Sequence, residues 1–264
     1  MFADCSKWRK TNVQTPMVVT ISVYQGHQTE GFLDQVLLAS VVVERWYMAP
    51  GVRRVPITDG KLTATLFLPS GPGPFPGLLD LWEQNTFFCA VCISRSHVQP
   101  VGGSVEQILT YFHGNAYKTR FDENNQVIWR DLMLPIPTDP SLKVDMGRLQ
   151  CPLLLVVGED DQNWPTYESA MDMKEMMERA GNSHLLTVLS YKNTGHLIEP
   201  PFTPFARAST FKTVTNPPTK VMALWGGELV ALSRAQEDAW RKTLVFLREN
   251  LYGGMKHGAS FSNL

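Results

Sequence analysis

The stretch PLLLVVGEDDQNWPTYESAMDMKEMMERAGNSHLLTVLSYKNTGH, residues 152–196, carries the clearest structural pattern of the chain. It opens on an apolar run of buried-strand length and closes that run with Gly158, Glu159, Asp160 and Asp161. A helix is predicted over residues 166–180. Ala170, Met173, Met177 and Ala180 form its apolar stripe, and Gly181 stands where a left-handed C-terminal residue belongs. Residues 185–191, LLTVLSY, predict a second strand, followed by the turn KNTGH. Strand, helix, strand in that order implies parallel pairing with the helix packed across it. Ligands of such sheets gather at the carboxyl ends of the strands. Asp161 lies at the first of these ends and His196 just past the second.

Before this stretch, FFCAVCI (residues 87–93) and LLDLW (residues 78–82) are further strand candidates. Only the four residues from Glu83 to Thr86 separate them, whereas a parallel crossover needs about a dozen. They are therefore not expected to be parallel neighbours, and a rearranged, weakly stable core is expected over residues 78–93. The first third reads as β structure, with strands over residues 16–24 and 34–47. GVRRVPIT and KLTATLFLP flank Asp59-Gly60, a hairpin signal, and SGPGPFPG (residues 70–77) is a rigid connection. Near the C-terminus Ser233 and Gln236 suit a capping box, and Trp240, Leu244, Leu247 and Leu251 a helical stripe. The fold class is α/β, a mostly parallel sheet with flanking helices.

Composition removes several functions. Of 264 residues, 44% are hydrophobic and 19% charged, too apolar for disorder. A net charge of −1 gives no electrostatic footprint for nucleic acid or an acidic membrane surface. The longest apolar run, VLLASVVV from Val36 to Val43, is far short of the ~20 residues of a membrane helix, so no membrane span is expected. Four cysteines in a chain this long do not make a disulfide framework and favour a reducing compartment.

An acid after one strand and a histidine after the next reproduce the Asp-then-His chain order of α/β-hydrolases. In that scheme His196 is the general base, and Asp161 fixes its tautomer and stabilises the imidazolium. The nucleophile signature G-x-S-x-G, or its cysteine form, is absent. The nearest string is Gly102-Gly103-Ser104-Val105-Glu106, which carries Glu106 at the last glycine position, so Ser104 reads as a turn or N-cap residue. Cys89 and Cys92 sit three apart in a strand and so point to opposite faces, as buried thiols. With no second C-x-x-C, no metal site is expected, and no cofactor.

Several strings resemble the acyl-CoA thioesterase / bile acid-CoA:amino acid N-acyltransferase family. They are PGVRRVPITDGKLTATLFLPSGPGPFPG (residues 50–77), VGEDDQNW (157–164), TGHLIEPPF (194–202), LWGGE (224–228) and AQEDAW (235–240). The resemblance implies an α/β-hydrolase domain over residues 49–254, lacking a central segment after Trp82. It implies remnant strands of a β-sandwich domain over residues 1–48 and a flexible tail over 255–264. By the same resemblance Asp161 is the triad acid and His196 the triad base. The glycine-rich oxyanion loop and the Ser/Cys elbow that follow in the family are missing here. Fatty acyl-CoA is the implied substrate or ligand. Hydrolysis would give a fatty acid and CoA, while transfer to an amino acid would give an amide. A chain without its nucleophile is expected to be weakly active or inactive, a truncated enzyme. The third alternative is a non-catalytic acyl-CoA-binding or interaction protein.

The N-terminal segment has no apolar core of a secretory signal. Ser262-Asn263-Leu264 resembles the peroxisomal S-K-L address without its basic middle residue. A cytoplasmic or peroxisomal location is the expectation.

Overall fold

The computed structural model describes residues 12–26, 35–59, 62–72, 89–100, 105–213 and 219–252. The chain divides into two units, Met1–Leu79 and Asp80–Leu264. Residues 78–82, Phe87, Phe88 and Ser104 lie outside the described residues, and so does the tail from residue 253.

The first unit holds two antiparallel hairpins. Strands β1 (Met17–Tyr24) and β2 (Leu37–Arg45) pair from Met17↔Arg45 to Tyr24↔Leu37. Strands β3 (Arg53–Asp59) and β4 (Leu62–Leu68) pair from Arg53↔Leu68 to Asp59↔Leu62, and Gly60 of the expected turn lies outside the described residues. In the first hairpin β-branched residues stand exposed, among them Val18, Ile21, Val41 and Val42.

The second unit is built on a three-stranded parallel sheet. Strand β5 (Ala90–Ile93) is followed by helix α1 (Val105–Gly114) and the short strands β6 (Arg120–Phe121) and β7 (Val127–Ile128). Then come β8 (Leu153–Gly158), helix α2 (Thr166–Arg179) and β9 (Leu186–Tyr191). The sheet order is β5-β8-β9, with Ile93 opposite Val156 and Val156 opposite Leu189. Every residue of β8 is buried, because the strand is covered on both faces. Leu153, Leu155 and Val157 pack on Ala170, Met173 and Met177 of α2. Leu154 and Val156 point the other way, onto Leu232 and Ala239 of the last helix. The two-residue period of a strand thus feeds two cores.

Strands β10 (Ala208–Lys212) and β11 (Lys220–Leu224) complete a second sheet, in the order β10-β11-β7-β6. Helix α3 (Leu229–Tyr252) ends the described chain. It begins four residues before the capping box read from the sequence, so Ser233 lies inside it. Its first turn closes with the Leu232 N–H on the Glu228 carbonyl at 2.9 Å. The buried face is Leu232, Ala235, Gln236, Ala239 and Thr243, whereas Trp240 and Leu244 are exposed. Small residues let the helix axis approach the sheet closely, and the large ones stand off to the side. Helix α2 matches its expectation closely, with Gly181 at φ 77° beyond its end. Cys89 and Cys92 are half-buried rather than buried. Strand β5 is an edge of the parallel sheet among the described residues, and an edge leaves its side chains partly open.

Candidate acid–base site

Asp161 and His196 meet where the sequence places them, beyond the carboxyl ends of β8 and β9. His196 Nδ1 donates to Asp161 Oδ2 at 2.9 Å. The Asp161 side chain is 1% exposed and that of His196 17%. A carboxylate this deep needs donors on both oxygens. Oδ1 accepts from the backbone N–H groups of Asn163 and Trp164, both at 2.9 Å. Oδ2 accepts from the Thr166 hydroxyl at 3.1 Å as well as from His196. The tight turn out of β8 supplies the first two donors and the first turn of α2 the third. Arg130, just after β7, donates to the Asp161 carbonyl at 3.1 Å and is ion-paired with Glu168.

With Nδ1 carrying the proton, Nε2 is an acceptor, and the Asn163 side-chain amide donates to it at 3.2 Å. This is the tautomer a general base requires. The imidazole also lies on the Trp225 indole, and its backbone N–H donates to the Trp225 carbonyl at 2.9 Å. Trp225 follows β11 and is fixed by its own indole N–H on Ser209 Oγ at 2.8 Å. Glu199, on the same loop as His196, is pushed above the usual carboxylate range by burial, against the opposing pull of His196.

Three loops interpenetrate here, and glycine makes it possible. A Cβ on Gly195 would stand 2.4 Å from the Gly226 backbone. A Cβ on Gly226, at φ 81°, would stand 1.9 Å from the Asp160 carbonyl oxygen. Asp160 in turn accepts the Gly227 N–H at 2.7 Å, which fastens the turn before α3 to the acid loop.

Sequence reasoning missed a second row of polar groups under α2. His97 Nδ1 accepts from Ser169 Oγ at 2.6 Å, and Nε2 donates to Asp172 at 2.7 Å. Lys143 donates to both Asp172 oxygens, at 3.0 and 2.9 Å. The row has the residue types of a hydrolytic triad, but Ser169 is 0% exposed and already accepts the His97 backbone N–H. It is an internal brace tying α2 to the segments around residues 97 and 143. Burial holds the His97 imidazole below its usual value, with Lys143 adding to this and the Asp172 bonds opposing it.

Ser94 was also missed. It follows β5 directly, at φ 49°, and is 3% exposed. Its Oγ is sealed from solvent with no hydrogen-bond partner. The available signal was Cys92-Ile93-Ser94-Arg95-Ser96, a serine with small residues two places to either side. Among the described residues no group of histidines, cysteines and acids is arranged to hold a metal ion, and no helix is long and apolar enough to cross a membrane.

Comparison with known proteins shows what the chain is similar to. The mouse peroxisomal succinyl-coenzyme A thioesterase is 29% identical over 337 residues, covering 95% of this chain and 78% of its own. Mouse acyl-coenzyme A thioesterase 3 is 29% identical, covering 97% and 77% respectively. Rat acyl-coenzyme A thioesterase 1 is 29% identical, covering 96% and 78%. A match of 337 positions exceeds this chain's 264 residues, so the relative carries residues inside the matched span that this chain does not. Residues 2–59 match the acyl-CoA thioester hydrolase/BAAT N-terminal region. Residues 83–253 match the BAAT / acyl-CoA thioester hydrolase C-terminal region, and the chain belongs to that family.

Proposed function

We propose that this chain is a thioester hydrolase of low turnover acting on fatty acyl-CoA, with His196 as general base and Asp161 as the acid that orients it. The observation that carries the reading is the 2.9 Å bond from His196 Nδ1 to a fully satisfied, buried Asp161 carboxylate. It leaves Nε2 as the proton acceptor at the ends of two parallel neighbours. The relatives' names, all CoA thioesterases, support the substrate class. Low turnover follows from the sequence. The G-x-[SC]-x-G elbow and the glycine-rich oxyanion loop are not in it, and one lost oxyanion donor alone slows acyl transfer by ~10²–10³-fold.

The domain reading belongs to the same proposal. Residues 1–48 are the remnant of a sandwich domain and residues 49–254 a hydrolase domain shortened after Trp82. The protein works in the cytoplasm or the peroxisome. The peroxisomal name of one relative supports the latter.

The test is thiol release from medium- and long-chain acyl-CoA by the purified full chain. Slow release that His196→Ala and Asp161→Asn abolish supports the proposal. Release unchanged in both variants, or none above buffer, overturns it. Calorimetric binding of a non-hydrolysable acyl-CoA without turnover would mark a binding protein instead.

A further inference from the structure

We infer that Ser94 is the nucleophile of this chain, a substitute for the family elbow that its sequence lacks. The inference rests on the acyl-transfer reading above and adds the residue that forms the covalent bond.

Order in the chain and in the sheet agrees with it. Ser94, Asp161 and His196 follow one another as Ser, Asp and His do in α/β-hydrolases. Their strands lie side by side as β5, β8 and β9, serine strand beside acid strand beside base strand. Ser94 also occupies the kind of place a nucleophile needs. Its N–H still donates to Val156 of β8 at 2.9 Å, so it is held in sheet register. Its φ of 49° then turns the chain sharply at the strand end. A non-glycine residue in the left-handed region is a strained one, and such strain concentrates at active sites.

The flanks fit as well. An elbow needs small residues two places before and after the nucleophile, and here they are Cys92 and Ser96. Ser96 Oγ lies 3.3 Å from Ser169 of α2, a closeness a larger side chain would prevent. The Ser94 hydroxyl is buried with no partner, a condition native structures avoid unless the group has another use. The end of β5 and the loop after β9 also come together. Ile93, next to Ser94, and Ile198, two residues past His196, pack in one cluster. Both line a cavity of about 30 Å³ together with Glu199.

As Ser94 Oγ bonds to the thioester carbonyl carbon, its proton passes to His196 Nε2. The tetrahedral oxyanion collapses, the C–S bond breaks, and the imidazolium returns that proton to the CoA sulfur. Water adds to the Ser94 ester with His196 taking its proton. The C–Oγ bond breaks, Ser94 regains a proton, and fatty acid leaves. In the resting state Asn163 occupies Nε2 and Ser94 is covered, so both must be freed before attack.

An alkyl fluorophosphonate probe tests this on the full chain, with adducts located by mass spectrometry. The expected result is slow labelling of the peptide bearing Ser94, suppressed by long-chain acyl-CoA. His196→Ala is expected to slow it at least about tenfold and Asn163→Ala to quicken it. Ser94→Ala, checked for an unchanged cooperative melt, should lose both adduct and thiol release. Ser94→Cys should retain release and become reactive to iodoacetamide if Ser94→Ala proves unfolded. An adduct elsewhere, no adduct, or thiol release unchanged in Ser94→Ala overturns the inference. Release lost in His196→Ala but intact in Ser94→Ala removes Ser94 alone and leaves the hydrolase reading standing. Labelling of Ser94 without any thiol release removes the acyl-CoA substrate alone.

Discussion

The imidazole of His196 lies on the indole of Trp225, ring centroids 5.7 Å apart and planes 21° from parallel. The base is therefore held by two kinds of contact at right angles. Asp161 restrains it in the ring plane and Trp225 restrains it across that plane. Trp225→Ala removes the second restraint while leaving the backbone bond from His196 in place. The expected outcome is a fall in thiol release of about tenfold, with Trp225→Phe recovering most of it, since an offset aromatic pair contributes about 0.5–1.5 kcal/mol. Steady-state kinetics on both variants checks it.

Thr166 is 0% exposed, and its hydroxyl donates to the buried Asp161 carboxylate. Thr166→Val keeps the shape and removes the donor. The loss expected in urea unfolding is about 1–3 kcal/mol, the range for leaving a buried charged acceptor short of a partner. Activity should fall with it, because the carboxylate is then freer to turn away from His196.

Acid should lower the stability of this protein over two separate pH ranges. His97 is held below its usual value in the folded chain, chiefly by burial. Unfolded, it takes up a proton near pH 6.5, so the unfolded state binds more protons and stability falls as pH drops below that value. Asp172 is also below its usual value. Burial pushes it up, but the hydrogen bonds from Lys143 and His97 outweigh this. Its contribution is present above about pH 4 and is lost as pH falls further. Melting temperature against pH should show both losses in the parent chain, and His97→Gln should remove the first.

Two glycines with similar backbones should respond differently to alanine. Gly181 at φ 77° has nothing within 4 Å of a built Cβ, so Gly181→Ala carries only the left-handed penalty of about 1–2 kcal/mol. Gly226 at φ 81° carries that penalty plus a 1.9 Å clash with the Asp160 carbonyl. Gly226→Ala should unfold at clearly lower urea than Gly181→Ala and lose thiol release, whereas Gly181→Ala keeps it.

Where one local pattern decides the outcome, the sequence was readable. The full burial of β8, the period of α2 and the positions of Asp161 and His196 all follow from residues 152–196. Helix α3 was not readable in the same way. Its large apolar residues suggested the buried stripe, but close packing on a sheet selects Ala235 and Ala239 over Trp240 and Leu244. The His97–Asp172–Lys143 brace could not be foreseen, because its members lie 29 and 75 residues apart along the chain and only the tertiary fold joins them. Ser94 has no glycine two places to either side, and its left-handed backbone shows only in the folded chain.

Every donor to the Asp161 carboxylate comes from residues 163–196, and the ring of His196 is completed by Trp225. None of these contacts draws on the chain before β5. The acid–base pair is in that sense a prefabricated part. A gene can lose or gain coding sequence upstream of it and still produce a finished proton acceptor. Such a part also suits engineering, because any nucleophile brought within reach of Nε2 meets a base that already carries the correct tautomer.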